Sequence, residues 1–234
     1  MPIDPNETIL VVAAHPDDEV LGCGGMIGQA AKRGIDVHVA ILGEGATSRH
    51  AMQDGLEGTA EVKKLQNQAR EVARLLGTVE TVFVGLPDNR FDTVPLLDIV
   101  KRIEDLVIKI RPSVVFTHHA GDLNVDHSIV HRAVLTAARP MPGQPVDEIY
   151  AFEVPSSTDW AFGQFGGPFH PNVFWDVQAS LDAKIRALEL YRSEIRSFPH
   201  PRSEELLRVN ARRWGSLVGL EAAEAFELIW KRIV

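Results

Sequence analysis

The chain has 234 residues, 45% of them hydrophobic, and a formal net charge of −8 at pH 7 with acids and bases interspersed. That is enough apolar chain for a sizeable core in one domain spanning residues 1–234, since no Ser/Gly/Pro-rich linker or internal repeat divides it. No basic run suggests a nucleic-acid footprint or a membrane-binding face, and no apolar stretch approaches the roughly 20 residues a bilayer span needs, so a small-molecule partner is expected.

Met1 to Glu7 lacks the basic start of a secretory leader. Ile9 to Ala13 is short, β-branched and free of charge, the pattern of a strand buried on both faces of a parallel sheet. It runs into Ala14-His15-Pro16-Asp17-Asp18-Glu19, which sets one imidazole and three carboxylates at the strand's C-terminal end, where open α/β sheets bind ligands. Pro16 fixes one angle of the turn, so His15 and Asp18 can meet at one ion while Asp17 points elsewhere, as a general base or as a helix N-cap. Glu19 reads as structural. Gly22 to Gly28 does not fit the dinucleotide-binding fingerprint, because the carboxylates fill the loop and Ile27 takes the sixth place. Those glycines are expected to let the first helix pack close.

Val37 to Leu42 gives a second strand, followed by the rim loop Gly43 to His50. Glu61 to Leu76 carries Leu65, Ala69, Val72 and Leu76 at helical spacing. The strand Thr81 to Val84 leads to the polar cluster Asp88, Asn89 and Arg90, and Ile99, Ile103, Leu106 and Ile110 mark the next helix. Ser113 to Thr117 is another buried strand, opening onto His118-His119-Ala120-Gly121-Asp122-Leu123-Asn124-Val125-Asp126-His127. Catalytic zinc commonly takes three ligands from His, Asp and Glu and leaves one position for water; His15, Asp18 and His127 form such a set. That water would lose a proton near neutral pH, with Asp17 outside the set to receive it. His131 shares the helical face of His127 and reads as a solvated or second-layer histidine.

A helix over Asp126 to Ala138 follows, then strands at Ile149 to Glu153 and Val173 to Val177, and two helices between Leu181 and Leu217 broken around Pro199 and Pro201. Ala225 to Trp230 reads as a last helix or an edge strand. The alternation predicts an α/β fold, a mostly parallel sheet with helices on both faces.

The AHPDDE string with its Gly-rich continuation, the later strand ending in Asp126-His127, and the middle section Arg70 to Gly77 with Leu86-Pro87-Asp88 together resemble the PIG-L and LmbE-like family of zinc-dependent N-deacetylases. The resemblance implies a Rossmann-like sheet, zinc (Zn2+) held by His15, Asp18 and His127, Asp17 as base, and an N-acetylated amino sugar or glycoconjugate as substrate. Many members carry a histidine three residues before the second motif's metal-binding histidine, and this chain has Asn124 there. An Asn amide can donate to an oxyanion but cannot deliver a proton to the leaving amine, which then falls to Asp17, His118 or His119. Asp126 would serve as a partner orienting a ligand or donor. Arg49 in the rim loop is either a holder of sugar hydroxyls or phosphate or an ordinary surface arginine, and Asp88 and His118 are further substrate-binding candidates.

The single cysteine, Cys23, excludes an internal disulfide, reads as a small buried hydrophobe and fits a reducing, cytoplasmic setting. Pro140 to Pro145 and Ser156 to Pro171 read as ordered loops, and Trp160, Phe162, Phe165 and Phe169 are expected either at a sugar pocket or in the contact of a homo-oligomer. Two alternatives to the deacetylase reading are an amidase acting on a thiol conjugate or glycopeptide, and a metal- or nucleotide-binding module without catalysis.

Overall fold

The computed structural model describes residues 7–45 and 56–233, with the side chains of the second helix described from Ala60 onward. Its sheet begins in the middle. β1 (Thr8–Ala13) lies at the centre, α1 (Asp18–Lys32) returns to β2 (Asp36–Gly43) at its side, and α2 (Leu56–Leu76) leads to β3 (Glu80–Leu86) at the edge. A short 3-10 turn (Phe91–Thr93) and α3 (Leu96–Ile110) carry the chain back past β1 to β4 (Val114–His118). α4 (Val125–Ala137) then leads to β5 (Glu148–Phe152), followed by α5 (Ser157–Trp160), β6 (Val173–Asp176), α6 (Leu181–Leu190), α7 (Glu204–Leu217) and β7 (Ala223–Lys231). The order is β3-β2-β1-β4-β5-β7-β6, with the first five strands parallel and β7 antiparallel to both neighbours.

The expected mostly parallel sheet with helices on both faces is therefore present. β1 shows why its run is apolar throughout. Ile9 and Val11 join a cluster with α1, α2 and α6, whereas Leu10 and Val12 join one with α3 and α4. Successive side chains alternate between faces, so a central strand covered on both sides has no polar position to spare.

The glycines of α1 do bring it close. A Cβ on Gly22 would stand 2.3 Å from the Phe152 ring, and one on Gly25 would stand 2.8 Å from Val177. Both contacts are nearer than a real Cβ tolerates, so only glycine admits this spacing between the helix, the end of β5 and the segment after β6. Cys23 is buried in the same helix, as expected of a small hydrophobe.

One expectation needs correction. Residues 225–230 are neither helix nor edge strand but the middle of β7, flanked on both sides by β5 and β6. The edge goes to β6, whose four residues are half-buried or exposed. The aromatic loop also holds the single turn α5, closed by a reciprocal pair of hydrogen bonds between Ser156 and Asp159. Among the described residues no helix is long and apolar enough to cross a membrane.

The chain leaves β1 toward β2 on one side and later reaches β4 on the other, so the strand order reverses between β1 and β4. Loops from the two strands part there and open a crevice above their C-terminal ends. His15 leaves β1 and His118 ends β4, both at that crevice.

Candidate metal centre

β1 stops at Ala13, and Ala14 locks the exit: its N–H donates to His118 Nε2 at 2.8 Å, and its carbonyl accepts from Gly43 N at 2.7 Å. The next turn is tied by Asp18, whose Oδ2 accepts the His15 backbone N–H at 2.8 Å. The same Oδ2 lies 3.3 Å from His15 Nδ1 and 3.3 Å from His127 Nε2. His15, Asp18 and His127 thus offer ligand atoms that all lie within 4.8 Å of one another, although His127 comes from α4 on the far side of β4.

Each histidine is oriented by a carboxylate on its other nitrogen. His15 Nε2 lies 2.9 Å from Asp126 Oδ2, and His127 Nδ1 lies 2.8 Å from Asp122 Oδ2. Ionised carboxylates only accept, so these nitrogens carry the protons, and in the neutral rings the lone pairs of His15 Nδ1 and His127 Nε2 face the Asp18 carboxylate. Two lone pairs aimed at an anion call for positive charge between them. The second oxygen of that carboxylate, Asp18 Oδ1, is buried with no hydrogen-bond partner. Ligand histidines in metalloproteins commonly hand their remaining N–H to a carboxylate in this way, so the residues fit a divalent cation.

The same excess of negative charge shapes the proton affinities. Burial works against the charged form of His15, but hydrogen bonds to Asp126 and Asp18, with the charges of Asp18 and Asp88, outweigh it and push its pKa up to about 10. His127 is likewise raised against burial by Asp18 and Asp122. Burial would raise Asp18, yet His127 and His15 hold its carboxyl well below the usual range.

Asp17 stands apart from this set. Its backbone adopts φ +113°, a region that side chains rarely enter, and it caps α1 with its carbonyl, which accepts from Val20 N and Leu21 N, rather than with its side chain. Asp17 Oδ2 instead accepts from Arg202 Nη1 at 2.8 Å, across 185 residues of chain. Burial pushes the Asp17 carboxyl well above its usual range, and Arg202 pulls it back. Glu19, taken from the sequence as structural, accepts the Asp17 N–H at 3.1 Å and the Tyr191 hydroxyl at 2.5 Å.

Several candidates sit differently from the sequence reading. His118 is fully buried, its Nε2 is taken by the Ala14 N–H, and its ring stacks on His127 with centroids 3.9 Å apart. It packs under His127, a candidate ligand, rather than lining an open rim, and burial lowers its proton affinity, which argues against it as the acid for the leaving amine. Asp88 is 3% exposed, with Oδ1 3.3 Å from His15 Nε2, and so backs the imidazole instead of lining an open rim. His119 has both nitrogens engaged, Nδ1 on Glu227 at 2.8 Å and Nε2 on the Gly167 carbonyl at 3.3 Å, which pins the aromatic loop to the sheet. His131 Nδ1 bonds the His118 carbonyl at 2.8 Å, a second-layer role as expected.

Asn124 is the N-cap of α4: its Oδ1 accepts from Asp126 N at 2.9 Å, and its Nδ2 donates to Asn89 Oδ1 at 2.9 Å. Asp126 is fully buried, with Oδ1 accepting from Phe91 N at 3.0 Å. Arg49 lies outside the described residues. Sequence reasoning missed Asp122, whose position five residues before His127 was a usable signal, and Arg202, for which no spacing existed to read.

Residues 10–138, more than half of the chain, match the sequence pattern of the PIG-L family, described as GlcNAc-PI de-N-acetylase. An uncharacterized deacetylase, YaiS, from Escherichia coli is 29% identical over 191 residues, covering 79% of this chain and 90% of its own length. The 4-oxalmesaconate hydratase of Pseudomonas putida is also 29% identical, over 201 residues, 79% of this chain and 73% of its own. In three dimensions, the N,N'-diacetylchitobiose deacetylase from Pyrococcus horikoshii superposes with a TM-score of 0.75 at 19% identity, over 97% of this chain and 87% of that one, which is a likeness of fold. With the pattern spanning both motifs and the deacetylase relative spanning most of the chain, the protein belongs to the PIG-L family of LmbE-like deacetylases.

Proposed function

We propose that the protein is a zinc-dependent N-deacetylase that hydrolyses the acetamide of an N-acetylated amino sugar or its conjugate. The observation that carries this reading is Asp17. It adjoins the ligand Asp18 in sequence, lies outside the ligand set and is held by Arg202, the position of a base rather than of a fourth ligand. His15 Nδ1, Asp18 and His127 Nε2 would hold the cation, which when bound acidifies water and polarises a carbonyl.

The chain's own groups supply the rest. Arg202 occupies Oδ2 of Asp17 and leaves Oδ1 to accept a proton from the attacking water. As the C–N bond breaks, Asp17 returns that proton to the amine; His118 and His119 are unsuited to the task, since their ring nitrogens are committed within the fold or buried. Asn124 offers a developing oxyanion the second hydrogen of its amide, Asn89 having taken the first. The family description supports N-acetylglucosamine as the sugar.

Metal analysis together with acetate release from N-acetylglucosamine, its nucleotide and lipid conjugates and N-acyl thiol conjugates tests the reading. About one metal per chain with acetate from a sugar is expected; absence of bound metal, or metal without acetate from any compound, overturns it. The 29% identity to a hydratase makes water addition to an activated C=C bond the second reading. Loss of ultraviolet absorbance from an unsaturated dicarboxylate, without acetate release from the sugars, would favour it.

A further inference from the structure

The metal ligands come from segments that the two motifs make visible, but the base is held from elsewhere. An N-cap residue ordinarily has extended backbone and turns its side chain onto the first amides of its helix. Asp17 does neither. Its φ of +113° directs the side chain away from the helix amides and toward Arg202, while Asp18, one residue on, points into the ligand set. A non-glycine residue stays in so sparsely populated a conformation only where its surroundings hold it there.

The hold on the Asp17 backbone N–H is Glu19 Oε2. Glu19 lies in the first turn of α1 with 2% of its surface exposed, and its other oxygen, Oε1, accepts from Tyr191 Oη at 2.5 Å. That bond fixes which way the carboxyl group of Glu19 faces. Tyr191 is itself immobilised. It is fully buried at the end of α6, its N–H donates to the Leu188 carbonyl, and its own carbonyl accepts from Glu194 N at 2.8 Å. The turn that follows leads on to Arg202, so the connection between α6 and α7 grips Asp17 twice, through Glu19 on the backbone and through Arg202 on the side chain.

We infer that Tyr191, acting through Glu19, is a positioning residue for the Asp17 carboxylate: the phenol aims the Glu19 carboxylate at the Asp17 N–H and so keeps the base turned out of the ligand set. The inference rests on the deacetylase reading with Asp17 as base. It differs from simple satisfaction of a buried carboxylate in what it requires of turnover. A bond that only stabilises the fold would, when removed, lower the melting temperature and leave kcat alone, whereas a bond that aims the base lowers kcat in folded, metal-loaded enzyme.

The test compares Tyr191→Phe, Glu19→Ala, Glu19→Gln and the double variant Tyr191→Phe/Glu19→Ala with wild type in acetate release, metal content and melting temperature. Tyr191→Phe keeps the ring and its packing, so it is expected to fold. Expected is a fall in kcat of about 10- to 100-fold for Tyr191→Phe and Glu19→Ala, with KM and metal content within about twofold of wild type. The double variant should lose no more than Glu19→Ala alone, since both substitutions cut one chain of contacts. Glu19→Gln, which can still accept the Asp17 N–H and meet the phenol, should lose far less than Glu19→Ala. A Tyr191→Phe enzyme whose kcat stays within twofold of wild type overturns the inference even if its melting temperature drops.

Hydrogen exchange at the Asp17 amide reads the same strut without turnover, and should quicken about tenfold or more in Tyr191→Phe while amides of β1 stay protected. If wild type binds metal and releases no acetate, the deacetylase reading fails on its own account, and unchanged exchange at Asp17 is then the result that overturns the strut.

Discussion

The stretch up to α4 and the stretch from β5 onward divide the work of the site between them. Among the described residues the first supplies every candidate ligand and the carboxylates behind them: His15, Asp18, Asp88, Asp122, Asp126 and His127 all come from the segments that follow β1, β3 and β4, the first turns of α1 and α4 included. Among the described residues the second supplies no candidate ligand, but it reaches back to the proposed base, through Arg202 on the Asp17 carboxylate and through Tyr191 on Glu19, which accepts the Asp17 N–H. It also clamps α1 from below, where Glu224 accepts from the Gly25 and Met26 amides and pairs with the buried Lys184. The family pattern ends at residue 138, so it covers the candidate ligands and Asp17 and stops short of Tyr191 and Arg202. Within one fold, then, the candidate ligands and the contacts that orient Asp17 come from different parts of the chain.

The sharpest way to break that division is a pair of substitutions. His127→Ala should drop bound metal from about one per chain to near none and abolish activity, whereas Asp17→Asn should keep the metal and lose about 10²-fold or more in kcat. Metal analysis beside acetate release checks both, and metal loss in Asp17→Asn would place Asp17 among the ligands.

Asp122→Asn should weaken metal affinity by about 10- to 100-fold, because the carboxylate that fixes the His127 tautomer becomes an amide. Titration against a chelator measures it, and unchanged affinity would remove Asp122 from the metal-holding stretch.

Arg202→Met probes the other stretch, and its expected effect is smaller, about tenfold in kcat with metal affinity unchanged. The sign of its pH dependence follows from the charges. Burial already pushes the Asp17 carboxyl up and Arg202 opposes it, so removing the guanidinium raises Asp17 further and moves the acid limb of kcat to higher pH. A pH–rate profile decides this, and a limb that stays in place would mean that Arg202 holds geometry alone.

The smallest effect is confined to stability. Glu153 is pushed up to about 7 by burial, against the hydrogen bond it accepts from Trp214 Nε1 at 2.6 Å. A carboxyl raised in the folded state favours folding while protonated, a contribution complete below about pH 4.5 and lost as pH rises through about 7. Glu153→Gln has no such proton to lose. Relative to wild type it should gain on the order of 2 kcal/mol in unfolding free energy between pH 4.5 and pH 8, with metal content unaltered. Urea unfolding at the two pH values checks it.

Much of the first stretch was legible in advance, for a local reason. β1 and its loop are consecutive residues, so a buried-strand run followed by His15, Asp17 and Asp18 states both where the strand ends and what stands there. His127 was legible because it follows a second such run. The strand at residues 225–230 was not legible as a strand, since Ala-Phe-Glu-Leu-Ile-Trp fits either period and its two-sided pairing depends on β5 and β6, distant in sequence. His118 misled for a similar reason: a histidine at a strand end looks available, and only the Ala14 amide pointing at its Nε2 shows that it is not.

By itself the sequence determined the strand and helix alternation, the place of the two motifs at strand ends, and which residue types were on offer to a metal, because hydrophobic periodicity and local turns are properties of neighbouring residues. Tertiary structure alone decided which carboxylate backs which imidazole, that His118 is buried against His127, and that Arg202 reaches Asp17 while Tyr191 reaches Glu19. Those pairings join residues as far apart as 111, 172 and 185 positions, and no local periodicity encodes a contact that forms only when the sheet closes the crevice between β1 and β4.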